Sequence, residues 1–223
     1  MPARGGSKRI PGKNFKEFNG VPIIVQVIKT LKSFNFIEKI IVSTDSENIK
    51  KLALQEGADV PFMRPPYLSD DHTGTTRVIH HAINELGAEL NNLDEIVCVY
   101  PTSVFVTSEL LARASEVLKL NKDSAVVSIK SYTHPIQRSF AIEKNRLIPF
   151  FKGNLQKRTQ DLPKAYFDAA QFYLAYKNTW LGSENIIEND CIGIEIPTLG
   201  AIDIDNTEDW KNAEILHRFL KSC

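Results

Sequence analysis

Residues 20–130 alternate between helical and strand-like patterns, and this alternation restricts the fold more than any other feature of the sequence. Apolar residues recur at helical spacing in some segments, whereas others are short β-branched or apolar runs. The helical segments are 22–34, 46–57, 75–86 and one capped by Thr107, and the strand-like runs are 39–43, 95–100 and 124–129. Continuous apolar strands separated by helices predict an α/β fold, with a mostly parallel sheet covered on both faces. Because ligands bind beyond the carboxyl ends of such strands, the loops that follow them are the candidate site.

The pattern becomes antiparallel after residue 130. Two strand-like runs flank Lys144-Asn145 and predict a hairpin, and the polar, basic stretch 151–165 is typical of a loop or lid. Strand-like runs follow at 171–176 and 191–196, and a terminal helix is predicted at 206–220, with Asn206 and Asp209 at capping-box spacing. We therefore expect one domain over residues 1–223, in which 131–176 form an antiparallel excursion.

The composition is that of an ordinary globular protein. The 223 residues are 43% hydrophobic and 24% charged, and the formal net charge is zero, so the composition predicts no affinity for nucleic acid or anionic lipid. The sequence contains no apolar run of about 18 residues, which a membrane span needs, and does not open with a signal segment. Its three cysteines include no CxxC pair. We expect a cytoplasmic protein.

Charge is concentrated at the start of the chain. The first sixteen residues contain five cations and no acid, and Gly5-Gly6 would let backbone amides approach an anion closely. The spacing to Gly12-Lys13 does not fit a Walker A loop, and Asn14 replaces its hydroxyl residue. The stretch is an anion-binding loop or a flexible basic terminus. A loop of this kind normally follows a strand, and since only three residues precede it, that strand is very short or lies outside the sequence.

A second chemical pattern lies near the end of the chain. Asp203 and Asp205 alternate with apolar residues, so in an extended segment both carboxylates would project from one face. Two converging carboxylates repel each other unless a cation lies between them, and Mg²⁺ prefers such oxygen ligands. The pattern predicts a metal site or an exposed strand.

The opening stretch, Pro2 to Asn14, resembles the sugar cytidylyltransferases of the CMP-sialate synthetase group. The resemblance implies a nucleotidyltransferase that uses CTP and Mg²⁺. The implied phosphate-binding residues are Arg4, Gly5, Gly6, Ser7, Lys13 and Asn14. Lys13 and Arg4 would act in catalysis by offsetting charge on the α-phosphate. Asp203 and Asp205 match the aspartates that hold magnesium in the family.

Two internal motifs extend this resemblance. Val42–Asp45 resembles the strand-end motif of the family, and Pro61–Pro65 resembles a loop whose arginine, here Arg64, reaches the nucleotide. Asp45 is a nucleotide-site residue or a cap for the helix that follows it. Asp70 and Asp71, which follow this loop, resemble family positions or are surface turn residues.

Four later segments resemble the pseudaminic acid branch of the family. The implied sugar-binding residues in these segments are Tyr100, Thr102, Ser103, Arg138, Arg158, Gln160, Asp168 and Gln171. Phe167 and Ala170 depart from the histidine and glycine that are usual there. The same region could instead be an interface rich in aromatic residues, and the family suggests a homodimer.

The resemblance thus implies the reaction of CTP with pseudaminic acid to give CMP-pseudaminic acid and pyrophosphate. N-Acetylneuraminate, legionaminate and Kdo are alternative sugars for the same chemistry. A non-catalytic nucleotide-binding module is the alternative from another class. The sequence leaves the general base open between an aspartate and a metal-bound water.

Overall fold

The computed structural model describes residues 1–91, 94–188, 190–197 and 202–222. Six α-helices and eight strands are formed within these ranges. The helices are α1 (Ile23–Lys32), α2 (Glu47–Gln55), α3 (Thr75–Leu86), α4 (Ser108–Leu120), α5 (Lys177–Leu181) and α6 (Thr207–Ser222). The strands are β1 (Glu17–Phe18), β2 (Val21–Pro22), β3 (Glu95–Val99), β4 (Ala125–Ser131), β5 (Phe140–Glu143), β6 (Arg146–Pro149), β7 (Tyr166–Tyr176) and β8 (Cys191–Glu195). The α/β prediction is confirmed.

The helix boundaries follow signals that are local in the sequence. The Thr107 hydroxyl accepts a hydrogen bond from the Leu110 amide at the start of α4. Gly57, with φ of 77°, follows the end of α2 in the left-handed conformation. At the start of α6, the Asn206 side chain accepts the Asp209 amide at 2.9 Å, and the Asp209 carboxylate accepts the Asn206 amide at 3.0 Å. The predicted capping box is therefore formed.

The main sheet contains four strands in the order β3-β7-β4-β8. β4 and β8 are parallel, whereas β7 runs antiparallel to both of its neighbours. β7, which belongs to the late antiparallel segment, thus lies between β3 and β4, which the sequence pattern predicted to belong to a mostly parallel sheet. β1 and β2 form a separate two-stranded sheet, and so do β5 and β6. The turn residues of the β5–β6 ribbon, Lys144 and Asn145, have φ of 46° and 62°.

The first three residues extend a second set of parallel segments. The Ala3 amide donates to the Ser43 carbonyl at 2.9 Å, and the Ser43 amide donates to the Met1 carbonyl at 3.0 Å. On the other side, Ile41 pairs in parallel with Asp59. The segment 39–43 was predicted to be a strand, but it forms only isolated bridges. Its short pairings nevertheless fix the backbone that enters the opening loop.

Three apolar clusters pack the helices against these segments. The largest contains the fully buried Phe18, Phe172 and Ile204, and Ile204 lies between the two predicted metal ligands. Packing of this one side chain therefore positions the carboxylates on either side of it. None of the helices in the described ranges has the length and apolar character that a membrane span requires.

Candidate active site

The glycine loop, residues 4–14, is closed by contacts between its own ends. The Asn14 side-chain amide donates to the Arg4 carbonyl at 2.8 Å, and Asn14 is buried. Gly12 has φ of 65°, which glycine adopts without strain, and it begins the short 3₁₀ turn Lys13–Phe15. The loop is thus a built structure, which favours the anion-binding interpretation over a flexible terminus.

Gly5 brings this loop close to the start of α2. A Cβ atom at Gly5 would lie 2.9 Å from the Cβ of Ser46, so only glycine fits without a shift. The Gly5 amide donates to the Asp45 carboxylate at 2.8 Å. The described contacts of the Asp45 carboxylate include no bond to an amide of α2, whose capping residue is Ser46. The alternative interpretation of Asp45 as a helix cap is therefore wrong, and the carboxylate holds the loop.

The glycine loop contacts the predicted aspartate pair, Asp203 and Asp205, across about 190 residues of sequence. Lys13 Nζ donates to the Ile204 carbonyl at 2.7 Å and lies 3.5 Å from Asp205 Oδ1. Arg9 Nη1 donates to Asp205 Oδ2 at 2.6 Å. The structure therefore joins the two motifs that the sequence suggested separately.

The aspartate pair keeps its predicted alternation outside a regular strand. Asp203 is exposed, Ile204 is fully buried and Asp205 is half-buried, although residues 202–205 belong to no strand. Although Asp203 is exposed as a residue, the protein around its carboxylate removes part of its solvation. This desolvation and the neighbouring Asp205 carboxylate raise the pKa of Asp203, while Lys13 and Arg9 oppose the rise. The two carboxylates thus repel each other in part, which is the condition that a bound cation would relieve.

The chemistry of this pair fits Mg²⁺. Both residues offer hard carboxylate oxygens, and Mg²⁺ is commonly held by one or two carboxylates together with phosphate oxygens and waters. No group of three or more His, Cys, Asp or Glu side chains suited to a metal occurs among the described residues. The remaining ligands would therefore come from a phosphorylated substrate and from water. Asp203 and Asp205 would hold the ion.

A second carboxylate engages the other cations of the loop. Arg4 Nη1 lies 2.7 Å from Asp71 Oδ1, and Lys8 Nζ lies 2.5 Å from Asp71 Oδ2. These bonds from Lys8 and Arg4 lower the pKa of Asp71. Asp70 instead closes its own turn, where its carboxylate accepts the amides of His72 and Thr73. Asp71 occupies a position at which two cations converge on one anion.

Arg64 is a buried cation with unused donors. Its residue is 5% exposed, and its Nε and Nη2 atoms have no hydrogen-bond partner among the described residues. Burial lowers the pKa of Arg64, and the charge of nearby Arg4 adds to this effect, whereas Asp45 opposes it. A buried guanidinium with free donors beside the glycine loop is suited to binding an anion or a polar ring.

Three of the predicted sugar residues lie around the segment that follows β3. The Tyr100 hydroxyl bonds the Thr75 hydroxyl at 2.5 Å, and its ring lies 5.9 Å from the ring of Tyr173. Thr102 and Ser103 are buried. The Ser103 hydroxyl donates to the Gln171 carbonyl at 2.8 Å, so it links this segment to β7.

The remaining residues of the β7 side lie in an irregular part of the strand. Asp168 is exposed, and its carboxylate accepts the Ala170 amide at 2.8 Å and the Tyr173 hydroxyl at 2.5 Å. The buried side-chain amide of Gln171 reaches the Ile202 carbonyl at 3.5 Å, and its Oε1 is unpartnered among the described residues. Asp168 and Gln171 therefore lie beside the aspartate pair.

The other three predicted sugar residues form a separate, exposed group. Arg138 donates to the Thr159 hydroxyl at 3.3 Å, and Arg158 forms a two-point ion pair with Asp161 at 2.8 and 3.1 Å. Gln160 follows Arg158 by two residues and is exposed. None of the described contacts of these side chains reaches the glycine loop or the aspartate pair. Within this chain, the structure does not bring them to the site.

Three residues of the site were missed by sequence reasoning. Arg9 was counted only as a cation, although it makes the shorter ion pair to Asp205. Ser128 is fully buried in β4, and its hydroxyl accepts the amides of Gln171 and Phe172, each at 3.1 Å. Tyr173 binds Asp168. A polar residue within the apolar run 125–129 was a usable signal for Ser128, since buried hydroxyls need partners.

The chain is similar to known proteins of one family. Residues 1–195 match the sequence model of a family described as cytidylyltransferase. A pseudaminic acid cytidylyltransferase of Campylobacter jejuni is 34% identical over 219 residues, which are 98% of this chain and 94% of the relative. A CMP-N,N'-diacetyllegionaminic acid synthase of Legionella pneumophila is 31% identical, with coverage of 97% and 94%.

A solved structure supports the fold independently of sequence. CMP:2-keto-3-deoxy-manno-octonic acid synthetase, determined in complex with CTP, superposes with a TM-score of 0.68. The match covers 100% of this chain and 97% of that one at only 13% identity, so it shows the fold alone. With the family match over residues 1–195, these findings establish that the chain belongs to the cytidylyltransferase family.

Proposed function

We propose that this chain is a CTP-dependent cytidylyltransferase that activates a nine-carbon acidic sugar, with pseudaminic acid as its substrate. The observation that carries the proposal is the contact of Lys13 and Arg9 with the segment 204–205. In a member of this family, that contact would bring the cations that bind a triphosphate next to the carboxylates that bind a metal ion.

The reaction follows from these groups. The anomeric hydroxyl of the sugar attacks the α-phosphorus of CTP, the bond to the β-phosphate oxygen breaks, and pyrophosphate leaves as the hydroxyl loses its proton. Catalysis is then positioning and charge neutralisation, with no covalent enzyme intermediate. Mg²⁺ bound at Asp203 and Asp205 would offset charge on the phosphate oxygens. Lys13, only 18% exposed and 3.5 Å from Asp205 Oδ1, would offset charge on the α-phosphate.

The glycine loop supplies the remaining phosphate contacts. Arg4 and Lys8 converge on Asp71 in this structure, and a phosphate group is the kind of anion that would take the place of that carboxylate. Gly6 is exposed, and no atom lies within 4 Å of a Cβ built on it, so its backbone can approach a ligand. Ser7 and Asn14 belong to the same loop. Arg64 would use its free donors on the nucleotide.

The sugar assignment rests on β7 and the segment after β3. Asp168 and Gln171 would receive sugar hydroxyl or acetamido groups, next to Tyr100 and Thr102. Campylobacter pseudaminic acid cytidylyltransferase is similar over 98% of the chain, which favours this sugar. The legionaminic acid relative, at 31% identity, makes legionaminate the second candidate.

The exposed ribbon is suited to a homodimer. Ile142 and Leu147 on β5 and β6 are 72% and 64% exposed, and Phe150 beyond the ribbon is 65% exposed. Apolar side chains concentrated in one projecting element are typical of an interface. Arg138, Arg158 and Gln160 lie in the neighbouring segments. In a dimer, these residues would contact sugar bound to the partner.

Substrate tests separate these assignments. We expect pyrophosphate release from CTP and Mg²⁺ with pseudaminic acid, and much slower release with N-acetylneuraminate, legionaminate or Kdo. Release with another of these sugars but not with pseudaminic acid would contradict the sugar assignment and leave the chemistry intact. Binding of CTP, seen by calorimetry, without turnover of any sugar would identify a non-catalytic nucleotide-binding module instead.

A further inference from the structure

Two of the predicted sugar-binding residues, Asp168 and Gln171, lie in an irregular part of β7. We call this part, residues 168–172, the β7 bulge. β4 pairs Val127 with Tyr173 and Ile129 with Asp168, so one residue of β4 lies opposite four residues of β7. Within the bulge, Ala170 has φ of 50°. A bulge of this kind re-aims side chains next to a site, and these residues must be held in place by other contacts.

The Asp168 carboxylate is the exposed end of a hydrogen-bonded chain. Its Oδ1 accepts the Ala170 amide at 2.8 Å and its Oδ2 accepts the Tyr173 hydroxyl at 2.5 Å. Tyr173 is only 5% exposed, whereas Asp168 is open to a ligand. A donor on each oxygen, one of them the hydroxyl of the buried Tyr173, restricts the orientation of the carboxylate, and the exposed carboxylate keeps lone pairs that can accept from a ligand.

The bulge is adjacent to the aspartate pair. The Gln171 side chain reaches the Ile202 carbonyl at 3.5 Å, one residue before Asp203. The negative charge of Asp168 also contributes to the raised pKa of Asp203, as the last of several causes. If a nucleotide is bound at the aspartate pair, a sugar that presents its anomeric hydroxyl to it would therefore lie next to Asp168.

We propose that Tyr173 is a positioning residue, which acts on the sugar through Asp168 by fixing the orientation of its carboxylate. The inference rests on the proposed function, since it assigns a role within the same sugar site. Tyr173 does not itself contact the sugar. Without the Tyr173 hydroxyl, the Asp168 carboxylate can rotate. Sugar binding must then order the carboxylate, which weakens the binding.

The test compares Tyr173→Phe with the wild-type enzyme. We expect the KM for the sugar to rise about tenfold, because one hydrogen bond to a charged group is lost, while the KM for CTP stays within twofold. Tyr176→Phe is the matched control, because Tyr176 lies buried on the same strand and makes no hydrogen bond through its hydroxyl among the described residues. We expect the control to leave both KM values unchanged.

A double-mutant cycle distinguishes positioning from a purely structural role. In an Asp168→Ala background, Tyr173→Phe should add less than a twofold effect on kcat/KM, because nothing remains to be positioned. Asp168→Asn, which keeps the volume and an acceptor for the Ala170 amide, replaces Asp168→Ala in the cycle if that variant does not fold. Effects that multiply in the double variant would overturn the inference, as would an unchanged sugar KM in Tyr173→Phe. Failure of the proposed function looks different, since the wild type itself would release no pyrophosphate.

Discussion

Ala170 holds a backbone conformation that residues with a Cβ adopt only with strain. Its φ of 50° lies in the left-handed region, at the position where the resembling sequences usually have glycine. We therefore expect Ala170→Gly to stabilise the protein by about 1 kcal/mol, measured by urea unfolding. Ala169→Gly, at the buried neighbouring residue without a positive φ, should destabilise it by a similar amount. Equal destabilisation by both variants would show that Ala170 is unstrained.

Asp71 competes with a phosphate for the cations of the glycine loop. Its carboxylate lies 2.7 Å from Arg4 and 2.5 Å from Lys8. Because Asp71→Asn removes the competing charge, we expect it to tighten CTP binding about threefold in calorimetry at low salt, and less at high salt. Asp59→Asn, at an exposed ion pair with Lys39, is the control and should not change CTP binding. Weaker CTP binding by Asp71→Asn would mean that the carboxylate serves the nucleotide directly.

Residue types and spacing identified the segments of the candidate site but not all of the contacts between them. The glycine loop and the aspartate pair were predicted from their residues and from a family resemblance, and the structure brings them together through Lys13. The role of Arg9 was not predictable, because it depends on a contact across 196 residues. Arg138, Arg158 and Gln160 shared a motif pattern with the other sugar residues, yet they lie apart from the site within one chain.

The start of α6 holds one of the catalytic candidates in place. The Asp209 carboxylate accepts the amides of both Asp205 and Asn206, each at 3.0 Å. Asp209→Ala should therefore destabilise the protein by about 1 kcal/mol and also lower kcat, since the Asp205 backbone loses its anchor. Glu208→Ala, at an exposed position of the same turn, is the control and should leave kcat unchanged. Loss of stability without any change in kcat would show that the cap does not position Asp205.

Elements defined by local signals were predicted well. The longer helices have amphipathic spacing, and α4 and α6 have side-chain caps. The β5–β6 ribbon has the positive-φ turn that Asn favours. The place of β7 between β3 and β4 was not predictable, because strand order depends on pairing between distant segments. The bulge in β7 was likewise not predicted. Two sequence signals for it were the polar Ser128 within an apolar run and Ala170 at a position where the resembling sequences usually have glycine.

At the scale of the whole molecule, we expect a homodimer that forms through the exposed β5–β6 ribbon. Ile142→Asp combined with Leu147→Asp should convert a dimer to a monomer in sedimentation experiments, because two charges are introduced into an apolar interface. Leu120→Asp, at a residue of α4 that is 84% exposed, is the control and should not change the mass. A wild-type protein that sediments as a monomer would contradict the homodimer and would confine the site to residues of one chain.

The proposed reaction at the aspartate pair is tested most directly by ³¹P NMR of a mixture of the protein, CTP, Mg²⁺ and pseudaminic acid. With the wild-type protein, we expect the CMP-sugar and pyrophosphate to form in equal amounts. The pyrophosphate signal, which comes from two phosphorus atoms, should therefore grow twice as fast as the phosphodiester signal of the CMP-sugar. Lys13→Met should slow both at least about 100-fold, as loss of a preorganised charge does, while Lys16→Met, whose ammonium lies 4.8 Å from the Trp210 ring centroid, should not. No phosphodiester signal with pseudaminic acid, N-acetylneuraminate, legionaminate or Kdo, or full activity of Lys13→Met, would contradict the proposed reaction and site.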